Sequence, residues 1–417
     1  MKPFAIFSKL WIWLSLFSIF LVVSPPKSSA QENALNPQTL TRLTEANNRF
    51  GFELFASLTA EAPKGAGLSK NIFVSPASVS WALEMLLNGA EGSTLEGMTK
   101  TLALSGIGVS EINGAQEALR KSLEDANSGV KLTVANGLWG KSGAAFLPDF
   151  LAALKKYYGA AAATLQGAEP INAWVNEKTF GKIPSIVKPD NITPETILIL
   201  VNAVYFKGLW QRPFDKARTL PEPFQLPGGG QPVPMMHQSG SYAYFEDGSV
   251  QAIRLPYGQE RRLALIVALP SVASGLKGFL QGMDVARWQT LVSAMRERSG
   301  TLTLPRFKTE YGAELSEALA GMGMGLAFSN QADFKKLAQV PPGFWLKISQ
   351  VRHKTFVEVN EEGTEAAAAT AIEMRAGSAA PSPQAPFKMV VDRPFFVAIQ
   401  DSKTGMILFL GSIADPR

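Results

Sequence analysis

The chain has 417 residues, no cysteine, two histidines and a formal net charge of +5, with 46% apolar residues. Without cysteine there is no disulfide and no thiol chemistry, and His237 and His353 lack the spacing of a zinc site, so no cofactor or metal is expected. Lys2, Lys9 and Lys27 supply three of the positive charges and residues 1–30 hold no acid, which leaves +2 over 31–417 and argues against nucleic-acid binding.

In chain order, Lys2 and Lys9 precede the apolar run 10–23, and Ser28-Ser29-Ala30 follows as a small-residue cleavage site. This pattern reads as a secretory signal over residues 1–30, too short to span a membrane, with an uncleaved anchor as the competing reading. The expectation is therefore an exported protein, extracellular or periplasmic, whose mature chain is one domain over 31–417 with no membrane contact. Apolar periodicity predicts helices near 37–60 and 75–88, the latter with Ser75 as N-cap and Pro76 at the first helical position. Further helices are predicted near 94–104, 112–127, 146–158, 170–179 and 276–298.

Strands are predicted at 130–140, 197–206, 241–245, 252–257, 263–269, 302–308, 347–359, 395–401 and 406–411, where β-branched and aromatic residues lie between turn signals. Helices and strands without βαβ alternation give an α+β class. A G-x-S-x-G elbow and a phosphate-binding G-x-x-x-x-G-K-S/T loop are both absent, which argues against an enzyme. Residues 110–127 offer only Arg120 and Lys121 against Glu111, Glu117, Glu124 and Asp125, and the Arg261-Arg262 and Lys335-Lys336 pairs read as solvated faces, so polyanion binding is not expected.

Residues 361–375 read two ways. By propensity, the alanine- and glutamate-rich run after Thr364 is a helix. By parity, Thr364, Ala366, Ala368, Thr370, Ile372 and Met374 share one face of an extended chain while Glu365, Glu373 and Arg375 share the other, as a half-buried strand requires. The sequence around this run resembles the reactive-centre region of the serpins. The resemblance extends to Asn71-Ile72-Phe73-Val74-Ser75-Pro76, to Ile171-Asn172-Ala173-Trp174-Val175-Asn176, to Leu200-Val201-Asn202-Ala203-Val204-Tyr205-Phe206, and to Asp392-Arg393-Pro394-Phe395 with Leu408-Phe409-Leu410-Gly411.

The resemblance implies a serpin fold of three β-sheets and eight or nine helices, with an exposed reactive-centre loop over 362–386. It implies an irreversible suicide-substrate inhibitor of serine endopeptidases, expected to be a monomer, that forms a covalent 1:1 complex with its protease and inserts the cleaved loop into the central sheet. The hinge would comprise Glu361, Gly363, Thr364, Ala366, Ala368 and Thr370, with Thr364 the first inward side chain to insert. Ser75, Ser78, Asn202 and His353 would form a buried shutter, and Trp210 an aromatic lid at the breach, with an ordinary packed tryptophan as the alternative.

The family's usual loop count from Glu361 places the attacked bond between Gly377 and Ser378, implying an elastase-like or subtilisin-like target. Residues 378–393 are longer than usual and carry Pro381, Pro383 and Pro386. A shifted register would present Arg375 to a trypsin-like protease or Met374 to a chymotrypsin-like one. A non-inhibitory serpin acting as a carrier remains the other class, and it would be favoured by bulky, charged or proline residues on the inward hinge face.

Overall fold

The twelve-residue helix Pro76–Leu87 is buried at every position, and its sequence says why: Ser78, Ser80 and Glu84 apart, it carries apolar residues around its whole circumference, as a core helix does. Ser75 caps it, its Oγ accepting from the Ser78 N–H at 3.4 Å, and Pro76 opens it. A computed structural model describes residues 37–60, 70–124, 129–226, 229–364 and 385–417. Among these residues there are nine α-helical segments and three sheets, of nine, six and two strands.

The six-stranded sheet carries the site. Its order is Phe307–Glu314, Ile348–Val359, Gly363–Thr364, Leu198–Leu209, Val130–Gly140 and Ala161–Thr164. Leu198–Leu209 is almost wholly buried because both of its faces are covered. On one face Ile199, Val201 and Ala203 pack with Ile171 and Val175 of the helix Ala168–Lys178; on the other, Leu198 and Leu200 join the core that contains Val79 and Leu83. Continuous hydrophobicity is the result, and it made this strand legible in the sequence.

Several expectations need correction. The helix expected over 276–298 is two helices, Gly275–Gln281 and Val285–Ala294, followed by a strand from Arg296. Gly282 ends the first, and Asp284 caps the second by accepting from the Arg287 N–H at 2.8 Å. The strand expected over 302–308 is two strands in different sheets, Arg296–Pro305 and Phe307–Glu314, which part at Arg306. Residues 241–245 belong to the much longer strand Gly229–Glu246, whose edge partner Leu220–Leu226 tolerates Pro221 and Pro223 because it pairs on one side only. Phe387–Val390, also unforeseen, pairs in parallel with Arg296–Pro305.

One group sits uneasily in the buried helix. Glu84 is 3% exposed and accepts from Ser80 Oγ at 2.6 Å, while its Oε2 has no partner among the described residues. Burial pushes its pKa up to about 7 against the lowering effect of Ser80. A raised native pKa means that the native state binds the extra proton, so this contribution to stability is complete below pH 4.5 and lost as pH rises to about 7. Glu84→Gln should therefore melt above the parent protein at pH 8, by the equivalent of roughly 3 kcal/mol. The two melting temperatures should converge near pH 4.5, as thermal unfolding across that range would register.

Candidate functional site

Strands Leu198–Leu209 and Ile348–Val359 lie side by side in parallel from Ile348 opposite Leu198 to Phe356 opposite Tyr205, and then they part. The gap is filled by Gly363–Thr364, antiparallel to both: Thr364 faces Val359 on one side and Gly208 on the other, and Gly363 faces Leu209. The chain reaches this slot by a tight turn in which the Asn360 N–H donates to Gly363 O at 2.9 Å. Gly363 has φ 152°, and a Cβ there would lie 2.0 Å from Gly208 O, so only glycine fits.

The expectation that Thr364 enters the sheet only after cleavage is corrected here. Its side chain is already buried in the intact chain, with Oγ1 2.6 Å from the Tyr257 hydroxyl. Glu362 and Gly363 are buried as well, so residues 362–364 of the expected exposed loop lie within the fold. Ala366, Ala368, Thr370, Met374, Arg375, Gly377 and Ser378 lie outside the described residues.

Around the slot, aromatic stacking and ion pairs hold the hinge. Trp210 stacks on Tyr257 with ring centroids 4.6 Å apart and planes 9° from parallel. Its indole N–H donates to Asn360 O and its backbone N–H to Glu362 O, both at 2.9 Å. Buried Glu361 accepts from Arg306 Nε at 2.6 Å and Thr219 Oγ1 at 2.5 Å, and Glu362 pairs with Lys216. Burial pushes the Glu361 carboxyl up, but the bonds from Arg306 and Thr219 outweigh it and hold the pKa below its ordinary value.

Lower in the sheet, a polar row crosses three strands: Asn136 faces Asn202, and Asn202 faces His353. Asn202 Nδ2 donates to Asn136 Oδ1 at 2.5 Å and to Ser78 O at 3.1 Å, and it also contacts Ser78 Oγ. His353 Nδ1 lies 2.5 Å from Asn202 Oδ1, while its Nε2 accepts from the Ser75 backbone N–H at 3.2 Å. The structure thus brings Ser75, Ser78, Asn202 and His353 together. The Ser75 hydroxyl, however, donates to Leu408 O at 2.7 Å and not to the imidazole, so the histidine activates no serine nucleophile.

The partners dictate the state of His353. One ring nitrogen faces a carbonyl oxygen and the other an N–H, so the neutral tautomer with the proton on Nδ1 satisfies both. Burial drives the pKa down to about 3, opposed by the bond to Asn202. His237 lies in the other large sheet, 2.6 Å from Glu222 and 3.2 Å from Thr303 Oγ1.

Asn136, Tyr257, Arg306 and Thr219 were not foreseen. Asn136 had a signal, an amide inside the apolar run Val134–Leu138 at a strand centre; the other three are brought to the hinge by tertiary structure alone. With its depressed native pKa, His353 contributes stability that is complete above pH 6.5 and is lost as pH falls toward 3. Acid unfolding followed by tryptophan fluorescence should show this loss beginning below pH 6.5, and His353→Gln, which keeps a polar amide there, should flatten that limb.

The comparisons with known proteins agree with this geometry. The family model for Serpin (serine protease inhibitor) matches residues 45–416. The chain is 35% identical to leukocyte elastase inhibitor of Bos taurus over 393 residues, covering 90% of this chain and 100% of that protein. It is 36% identical to serpin B6 of Pongo abelii over 389 residues, covering 90% and 99% respectively. Human thyroxine-binding globulin complexed with thyroxine superimposes with a TM-score of 0.81 at 29% identity, covering 91% of this chain and 99% of that one. These relatives overturn the expectation of a secreted protein: the elastase inhibitor and serpin B6 are matched essentially end to end without a counterpart of the expected leader. A lysine-flanked apolar run reports hydrophobicity, and hydrophobicity alone does not assign a compartment. With the sheet, the hinge and the family model in agreement, the chain belongs to the serpin family of serine protease inhibitors.

Proposed function

We propose that this protein is a suicide-substrate inhibitor of serine endopeptidases that traps its protease by drawing the cleaved loop into the six-stranded sheet. The observation that carries the reading is the register of Gly363–Thr364, which already sits in the slot where an inserted strand would begin.

Extending that register residue by residue sets Ala366 between Phe206 and Val357, Ala368 between Val204 and Thr355, and Thr370 between Asn202 and His353. Every even-numbered loop residue then meets the inward face, and Glu365 meets Lys207 on the outer face. The alternation read from the sequence and the register of two paired residues agree on which face is which. Insertion separates Asn202 from His353, and the hydroxyl of Thr370 falls where it can bond to both, so the buried polar row is re-paired rather than orphaned. A dozen new ladder bonds at a net ~1 kcal/mol each give on the order of 10 kcal/mol, withheld while the loop is uncut.

In the trapping step, the protease serine Oγ bonds to the carbonyl carbon of Gly377, the peptide bond to Ser378 breaks, and the Ser378 amine leaves with the proton. Insertion then competes with attack by water on the acyl ester. A small residue at 377 fits an elastase-like or subtilisin-like pocket, and similarity to proteins named leukocyte elastase inhibitor supports the same class. The likeness to thyroxine-binding globulin shows that this fold also serves a ligand binder. The inward hinge face favours inhibition here, because Thr364, Ala366, Ala368 and Thr370 are all small and uncharged.

Incubation with an elastase or subtilisin should give a 1:1 adduct that survives boiling in SDS, and the released C-terminal peptide should begin at Ser378 by mass spectrometry. A peptide beginning at Ala376 would move the attacked bond to Arg375, and cleavage without any adduct would sink the inhibitory reading.

Because Thr364 is already buried in the intact chain, the informative hinge substitution lies one inward position later. Ala366→Arg forces an unpaired guanidinium between Phe206 and Val357, at several kcal/mol, so insertion slows while acylation does not. The variant should be cleaved at the parent rate while the fraction forming adduct falls at least ten-fold. Glu365→Arg, facing outward, should retain most of the adduct; equal behaviour of the two would refute the register.

A further inference from the structure

The strand that the loop would supply says little about its own register. Ala366, Ala367, Ala368 and Ala369 present identical side chains, so a shift of two residues keeps the inward face and trades alanine for alanine. A shift that turned Glu362 inward would take it from Lys216 and bury its carboxylate unpaired, at a prohibitive desolvation cost. The competing register is the opposite one, with Ala366 in the place of Thr364, and what opposes it at the first step lies in the slot. Gly363 holds the backbone turn, and among the described residues the Thr364 hydroxyl makes one side-chain hydrogen bond, with the Tyr257 hydroxyl at 2.6 Å.

Tyr257 is held so that its hydroxyl can occupy only one point. Its ring is buried, stacked on Trp210, edge-on to Phe206 with centroids 5.2 Å apart, and laid against Gly208, where a Cβ would come within 2.7 Å of Tyr257 Cδ1. Gly208 is also the residue that faces Thr364, so its missing side chain is what lets the phenol reach the slot. The backbone is pinned as well, since Tyr257 bridges Trp210 and the Gly258 N–H donates to Leu209 O at 2.9 Å. Burial pushes the phenol pKa up, against the bond with Thr364, so the hydroxyl stays protonated. With Ala366 in that place the Tyr257 hydroxyl would be buried without a partner, a loss that Thr364 avoids.

We propose that Tyr257 is a positioning residue that sets the register of insertion, recognising the hydroxyl of Thr364 before the loop is cut and rejecting an alanine there. Thr370 offers a second check at Asn202 and His353, but only after six further residues have entered. The role of Tyr257 rests on the insertion reading above.

Because the chain has no cysteine, engineered pairs can report the register. In register Ala368 faces Val204; shifted by two, Thr370 does, and facing residues are close enough for a disulfide. Val204→Cys is combined with Ala368→Cys in one reporter and with Thr370→Cys in a second, which also removes the later check. Each is cleaved in the loop with subtilisin under mild oxidation, and the disulfide is quantified by peptide mass spectrometry. With Tyr257 present, the Ala368→Cys reporter should close and the Thr370→Cys reporter should stay largely open. Tyr257→Phe keeps the stacked ring, removes only the hydroxyl, and should raise the shifted disulfide at least about five-fold, the effect of one buried hydroxyl left unbonded. Thr364→Val should do the same, and the two substitutions together no more than either alone. Should Tyr257→Phe not fold by circular dichroism, Thr364→Val carries the test. An unchanged yield of the shifted disulfide in a folded variant, or additive effects of the two substitutions, overturns the role of Tyr257 while a closed Ala368→Cys reporter leaves insertion standing. If neither reporter closes after cleavage with Tyr257 present, insertion itself is refuted, and the role of Tyr257 with it.

Discussion

The fold turns on the contact between two parallel strands, Leu198–Leu209 and Ile348–Val359, which are ladder partners along most of their length and strangers at one end. A parallel pair inside a sheet is ordinarily closed by its own hydrogen bonds. Here the end of the pair is held apart by two residues of the chain that leaves it, Gly363 and Thr364, and the rest is pinned by a His353–Asn202 bond. On the proposed mechanism, whatever occupies that seam would determine the state of the molecule. The aromatic stack of Trp210 and Tyr257 and the Glu361–Arg306 pair all act at its open end. On the same mechanism they would set how readily it lengthens.

The buried polar row explains why the seam does not simply seal or fall open. Asn136, Asn202, Ser78 and His353 occupy a plane that apolar residues would fill with fewer constraints, and each amide or imidazole there must be bonded to avoid a desolvation loss of about 1–3 kcal/mol. Such a row resists partial opening, since drawing the strands apart by a fraction of a bond strands several groups at once. On the proposed mechanism it would tolerate complete insertion, because an incoming strand bearing a hydroxyl at the right register would restore the bonds. On that mechanism the row would favour two states and disfavour intermediates.

Much of this was legible in the sequence, and the limits were physical. The strands 130–140, 347–359 and 395–401 and the capped helix after Ser75 were readable because burial on known faces leaves periodic or continuous hydrophobicity. Gly282 breaks the expected long helix, and Pro221 and Pro223 concealed an edge strand whose single-sided pairing makes proline harmless. Of the site, His353, Asn202 and the two serines came from resemblance to the family, and Asn136 stood in an apolar run as an unexplained amide. Tyr257 and Arg306 carried no local signal. Their roles arise from where the Leu263–Pro270 and Phe307–Glu314 strands bring the preceding residues, and that is a property of tertiary register. The position of Thr364 shows the same limit: alternation revealed which way it faces, but not that it is already inside.

The helix Pro76–Leu87 links the seam to the core. Ser75 at its cap donates to His353, which must remain neutral, and Glu84 within it is buried with one oxygen unbonded. Their titrations oppose one another. The histidine favours the fold as pH rises from about 3 to 6.5, and the glutamate as pH falls from about 7 to 4.5. Between 4.5 and 6.5 the two slopes cancel, so these groups leave a plateau whose height is set by two ionisable side chains held uncharged. On the proposed mechanism, a sheet able to accept one more strand would place the intact state above the inserted one in free energy, and that difference is what a cleaved loop would release.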